Sequence, residues 1–333
     1  MRLQIVTFVT IFFCLLLLDL PSLVSHLSGI KAYPFMGAKI KKKIRFSLHI
    51  SCTWNGELKI QRALPNKFAQ AIGPFVLFEH IHSLTRSVNE SHRGLATNCS
   101  QAHRGIAILT YMLIGEVEHL DSIGHHEKLG SGGVHWTKAG KGIVYDEIIR
   151  SEVNVTNPTV SVVRLWTNLT SKHKADKPVY FHVRPAGISK RKLEDDAGWM
   201  KIILGVYGDK VAEIPCYSKE FLYHVHLEAG RQFSITTDAA IEYAVFLPAN
   251  KAVVNEKVFQ AGELIVFASF GEIIEIKNSG KSAIDIILFG GDPYNEPIVS
   301  EENFVMNNPH EISQAYNDYY DGKYGQIKPK QKK

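Results

Sequence analysis

Between Ile60 and Gly291 the apolar residues come in short runs cut by glycine, with almost no helical period. "GPFVLFEHI" (Gly73 to Ile81), "GIAILTYMLI" (Gly105 to Ile114), "EVEHLD" (Glu116 to Asp121), "GIVYDEII" (Gly142 to Ile149) and "VSVVRLW" (Val160 to Trp166) are rich in β-branched and aromatic residues. Such residues fit a pleated surface, and runs this short suit strands rather than helices. "LIGEVEHLD" reads as a hairpin. A polar, glycine-bounded stretch, "PAGISKRKLEDDAG" (Pro185 to Gly198), reads as a linker, and six more strand-like runs fill residues 200–291 at the even spacing of an antiparallel sandwich or barrel. The pattern therefore predicts an all-β protein of two successive domains of similar size. One helix is expected near the end. Asn308 can cap it, Pro309 suits its first position, and Ile312, Ala315, Tyr316 and Tyr319 form a packing stripe before Gly322.

The chain is long enough for two real cores: 333 residues, 45% apolar and 21% charged. Its net charge of +5 is spread out, apart from "KIKKKIR" (Lys39 to Arg45) and "KPKQKK" (Lys328 to Lys333). Neither run is interleaved with aromatic residues, so both read as solvated ends and no nucleic-acid partner is expected. Arg2 precedes an apolar run, Ile5 to Leu18, that matches the core of a signal peptide and falls short of the roughly 20 residues of a membrane span. A secreted or periplasmic protein is expected. Ser22, Ser25 and Ser28 provide no clean cleavage context, so a membrane-anchored protein with an uncleaved leader is the other reading. Cys52, Cys99 and Cys216 allow at most one internal bridge, Cys14 lying in the apolar run. Asn89, Asn98, Asn154 and Asn168 head N-x-S/T sequons, which are glycan candidates on surface loops in a eukaryotic secretory pathway.

Two i, i+2 pairs stand out, Gln101 with His103 and Tyr145 with Glu147. On strands, each pair points to a single face. His103 and Glu147 are ligand types that suit iron. Gln101 offers only a neutral amide oxygen, and Tyr145 must lose a proton of pKa about 10 before it ligates well.

These stretches carry a resemblance. "RALPNKFAQAIGPFVLFEH" (Arg62 to His80), "HRGIAILTYMLIGEVEHLDSIG" (His103 to Gly124), "GVHWTKAGKGIVYDE" (Gly133 to Glu147), "LWTNL" (Leu165 to Leu169) and "FVMNN" (Phe304 to Asn308) resemble the pirins, in the family's order. The resemblance implies a bicupin, two consecutive cupin β-barrels, over residues 58–185 and 186–325 with the terminal helix in the second. Residues 1–29 would then be the leader, 30–57 a basic N-terminal segment and 326–333 a basic tail. It also implies one metal, usually iron, in the N-terminal barrel, held by an H-x-H pair before R-G and an H-x-E pair after G-x-G-I. Those positions here are Gln101, His103, Tyr145 and Glu147, so two histidines of the pattern are replaced. Fe2+ or another transition metal is expected to bind weakly, and restoring histidine at 101 and 145 to strengthen it. Arg104 and Gly105 match the family and read as structural.

Other histidines read as ordinary. His80 with His82 and His224 with His226 form H-x-H pairs taken as strand or surface residues, and His119, His125, His126 and His135 are expected on solvated surface. His92, in "SHRG", falls in a loop. Two functions compete. One is a monomeric binding module for a small aromatic, flavonol-like ligand or a protein partner. The other, implied by the resemblance, is an iron-dependent enzyme like quercetin 2,3-dioxygenase, with Glu147 as ligand and catalytic base for a flavonol hydroxyl.

Overall fold

The computed structural model describes residues 39–55, 58–83, 95–96, 100–151 and 159–328. The leader, Cys14, Cys99, His92 and the sequons at Asn89, Asn98 and Asn154 lie outside them. The described residues from Ile40 onward form one compact unit. It contains two β-barrels, each built from a seven-stranded antiparallel sheet and a smaller one, followed by the terminal helix Pro309–Tyr320. In the N-terminal barrel the large sheet runs, in spatial order, Val179–Val183, Val134–Lys138, Ile106–Ile114, Ser161–Asn168, Phe75–Ser83, Leu58–Leu64 and Cys52–Asn55. Its small sheet is centred on Ile143–Arg150, which pairs with Glu116–Asp121 on one side and with Gln101–His103 on the other.

The two large sheets pack face to face. Phe75 and Phe78 from one meet Phe246 and Phe289 from the other, with Phe78 and Phe289 stacked 4.6 Å apart, and Trp136, Leu165, Leu222 and Ile287 complete the shared core. This explains the unbroken apolar runs. Along Ile106–Ile114, Leu109 and Tyr111 enter the core between the barrels while Ile106 and Ile108 enter their own barrel, so both faces of the strand are buried and no polar alternation survives. The C-terminal barrel is filled by its own apolar residues, among them Met200, Ile202, Val225, Ile235, Val254 and Leu288.

The first and last long elements among the described residues each cross to the other barrel. Ile44–His49 joins the C-terminal barrel as the edge strand beside Glu263–Phe267. The basic run before it is thus no solvated end. Lys41 pairs with Glu256 and Glu275, and Lys42 is 1% exposed, donating to the Ser269 carbonyl beside the Tyr243 ring. Backbone pairing, together with carboxylates waiting on the C-terminal barrel, outweighs what composition suggests. Conversely the helix Pro309–Tyr320 belongs with the N-terminal barrel: Ile312 and Ala315 pack with Phe304 and Met306 against Ala102 and Val144, the outward-facing residues of the Gln101–His103 and Ile143–Arg150 strands. The Asn308 side chain caps the helix by accepting from the Glu311 N–H at 3.0 Å, as the sequence predicts.

Three further expectations are corrected. The Pro185 to Gly198 stretch is only partly a linker, because Ser189–Lys192 pairs with Gly198–Leu204 as an edge strand whose lysines and arginine discourage further pairing. Asn168 is 2% exposed on a strand and its side-chain oxygen accepts from Lys174, so it cannot carry a glycan in the folded protein. His119 and His135 are buried, at 0% and 1% exposure, rather than solvated. Among the described residues no helix is long and apolar enough to cross a membrane, and Cys52 and Cys216 are free.

Candidate functional site

Strand register brings the two pairs together. Gln101 lies opposite Tyr145 and His103 opposite Ile143, while Glu147 lies opposite His119 on the other neighbour, so all of these side chains share the inner face of the small sheet. Gln101, His103, Tyr145 and Glu147 line one pocket of about 580 Å³, with Ile60, Leu77 and Trp166 as apolar wall and Arg62, Glu79, Arg164 and Asn303 as polar groups.

Gln101 and Glu147 are engaged through their side-chain oxygens, and His103 through one ring nitrogen. Gln101 sits at the rim, its amide oxygen accepting from Asn303 at 3.1 Å. His103 is buried and donates from Nδ1 to the Gln101 carbonyl at 3.1 Å, which leaves the lone pair on Nε2. Burial holds its pKa down to about 3, so the ring is neutral. Burial and the neighbouring Glu147 carboxylate push the Tyr145 phenol above its ordinary value, so it keeps its proton. Burial opposes ionisation of Glu147, but the Arg164 guanidinium and the nearby His135 and His119 outweigh it and hold the carboxyl below the usual range. Its Oε2 accepts from Arg164 Nη2 at 2.8 Å and from Thr110 at 3.0 Å.

Arg164 is the residue that sequence spacing does not reveal. It lies opposite Glu79 on one neighbouring strand and opposite Thr110 on the other, and Glu79 lies opposite Arg62. A ladder of charge results on the inner face: Arg62 to Glu79 at 2.6 Å, Glu79 to Arg164 at 3.8 Å, Arg164 to Glu147 at 2.8 Å. The nearest signal in the sequence is the alternation Arg62, Glu79 and Arg164 on three strand-like runs, but which strands are neighbours is fixed only by the fold.

Behind Tyr145 lies an aromatic group formed by the buried His119 and His135 with the half-buried Tyr180. His119 stacks between Tyr145 and Tyr180 at ring distances of 5.6 and 4.3 Å and donates from Nε2 to Asp121, and His135 meets the Tyr180 hydroxyl through Nδ1. His125 bonds Asp121 and His126 bonds Glu118 at the rim. His80 is held between Gln61 and Ser161, and His224 between Tyr111 and Asp285, with His226 on the same Asp285 oxygen.

This donor set does not fit a divalent metal. It presents one imidazole lone pair, a carboxylate already bound to a guanidinium, an amide and a neutral phenol that a metal would first have to deprotonate. Among the described residues no three His, Cys, Asp or Glu side chains are grouped to hold an ion.

Two barrels packed through their large sheets, one filled and one opening to a polar pocket, make this a bicupin. Residues 57–167 match the Pirin domain family and residues 222–325 the Pirin C-terminal cupin domain. A pirin-like protein of Solanum lycopersicum is 30% identical over 270 residues, covering 80% of this chain and 87% of that one. The chain belongs to the pirin family. A Pseudomonas aeruginosa protein provisionally named a quercetin 2,3-dioxygenase is 28% identical over 259 residues, 78% of this chain and 89% of its own. Among solved structures, quercetin 2,3-dioxygenase from Acinetobacter baumannii superposes with a TM-score of 0.77 at 24% identity, over 86% of this chain and 100% of that one. A bacterial pirin from Escherichia coli in complex with nickel(II) superposes with a TM-score of 0.57 at 17% identity, over 76% and 98%. Both likenesses show the fold.

Proposed function

We propose that this chain is an exported, monomeric, pirin-like binding protein whose N-terminal barrel takes a small aromatic, flavonol-like ligand and binds transition metal only weakly. The Arg164–Glu147 ion pair carries this reading, because it ties up the one carboxylate a metal would need. A pocket of about 580 Å³ is of small-molecule size, its wall includes the Trp166 ring 5.5 Å from His103, and Gln101, Arg62 and Asn303 offer hydrogen bonds to hydroxyl groups. The dioxygenase names borne by relatives support a flavonol as the first ligand to try.

Titrating the full chain with quercetin, and following tryptophan fluorescence with and without chelator, tests it. Saturable one-to-one binding, unchanged by chelator and reduced in Trp166→Phe, is the expected result. Binding that requires added iron, or quercetin-dependent consumption of dioxygen, would favour the second reading, an iron-dependent quercetin 2,3-dioxygenase-like enzyme. His103 supports that reading through its Nε2 lone pair, but Glu147 would have to leave Arg164 before acting as a base for a flavonol hydroxyl. Export rests on the apolar run after Arg2. A reporter fused after residue 30 should leave the cytoplasm, and a soluble internal reporter would refute export.

A further inference from the structure

We infer that Arg164 is a resident cation that keeps divalent metal out of the N-terminal barrel, an obstacle separate from the two missing histidines. The inference deepens the metal-poor reading above and rests on it. Arg164 stands on the inner face of its sheet with Glu79 and Thr110 as its cross-strand neighbours; its Nη2 reaches Glu147 Oε2 at 2.8 Å and its Nη1 lies 3.8 Å from Glu79 Oε2. Thr110 bonds the same Glu147 oxygen at 3.0 Å, which fixes the carboxylate in the orientation that the guanidinium needs.

Charge balance gives the same answer. Along the ladder Arg62 and Arg164 offset Glu79 and Glu147, so these four side chains balance one another without any ion. Adding a dication would place like charge beside the Arg164 guanidinium, with Asp146 the remaining carboxylate of the pocket's lining, and drawing Glu147 toward the ion would strip a buried arginine of its partner. Both penalties persist whatever residues stand at 101 and 145. Restoring the two histidines therefore supplies donors but leaves the carboxylate occupied and the like charge in place. Arginine suits this role better than lysine, since its planar fork can span Glu147 and Glu79 together and it does not lose its proton.

The test uses the full chain with Ni2+ alone and with Fe2+ alone under nitrogen, reading ions retained per chain after dialysis and the Kd by calorimetry. The natural protein and Q101H/Y145H are both expected to retain well under one ion per chain. Adding Arg164→Gln together with Glu79→Gln to the double-histidine variant removes one charge of each sign. It should give one ion per chain and tighten the Kd by at least about tenfold. The double-histidine variant with Arg164→Lys, which keeps the positive charge, should stay metal-poor. Full loading of Q101H/Y145H with Arg164 in place would overturn the inference whether or not the four-residue variant folds. So would a folded four-residue variant, judged by its circular dichroism and melting, that binds no more tightly than Q101H/Y145H. Quercetin binding by the natural protein is a separate measurement, so failure of the ligand reading and failure of the arginine inference are told apart.

Discussion

His80 shows how a single buried side chain ties this fold to pH. It is enclosed by Gln61, Ser161 and the Phe246 ring, and burial holds its pKa down to about 3 from an ordinary 6.5. The unfolded chain takes up a proton below pH 6.5 that the folded chain refuses, so stability is full above 6.5 and falls as pH drops toward 3. At pH 5 this one residue removes roughly 2 kcal/mol. His80→Gln should lower stability at pH 7.5 but lose less between pH 7.5 and 5 than the natural protein, by about that amount, in urea midpoints. Parallel losses would show that other groups set the acid limit. The histidines also mark what spacing can tell. The i, i+2 pairs at 101/103 and 145/147 convey shared faces, and those residues do line one pocket. By contrast, the burial of His119 and the presence of Arg164 depend on which strand lies beside which, and no local spacing encodes that.

At the scale of elements, strands and helix were legible because each is specified locally: β-branched runs ended by glycine, and an Asn-Pro start followed by an apolar stripe. The misread elements, Ile44–His49 and Ser189–Lys192, are edge strands with polar outer faces, whose pairing comes from backbone hydrogen bonds that composition does not advertise. Gly142 joins local and distant structure. It has φ +131°, and a Cβ there would stand 2.1 Å from the Tyr324 ring, which follows the terminal helix and seals the back of the site strand. Gly142→Ala should cost about 1–3 kcal/mol from backbone strain alone and more from the clash. Tyr324→Ala in the same chain should recover the clash but not the strain, so the two losses should not add. Thermal melts of the two single variants and the double variant measure this, and strict additivity would mean that the ring moves aside freely. Gly105 in the HRG motif is similar, its Cβ position lying 2.0 Å from the Val305 carbonyl, so the motif's glycine admits the returning C-terminal segment.

The whole molecule is where sequence reading is weakest, since two domains in series suggest two separable units. Three features oppose separation. The large sheets share an aromatic core, with Phe78 between Phe246 and Phe289 at 5.1 and 4.6 Å. The Ile44–His49 strand from the start of the chain completes the C-terminal sheet, and the helix Pro309–Tyr320 from its end covers the N-terminal site strands. Lys174 adds a tie inside the N-terminal half, donating to the Gly105 carbonyl and, across the join, to that of Val305. Cutting between residues 185 and 186 would therefore expose two apolar sheet faces and deprive each half of an element that the other holds. Residues 58–185 expressed alone should be insoluble or molten, while residues 40–185 and 186–328 co-expressed should purify together and bind quercetin as the intact chain is proposed to do. Phe78→Ala in the intact chain should cost about 3–5 kcal/mol and lower one common transition, because the cavity opens in a core that both barrels share. Two halves that are soluble apart and melt independently would show that the core is a contact surface between finished domains; a single transition, lost when the halves are parted, would show that the pocket depends on the whole chain.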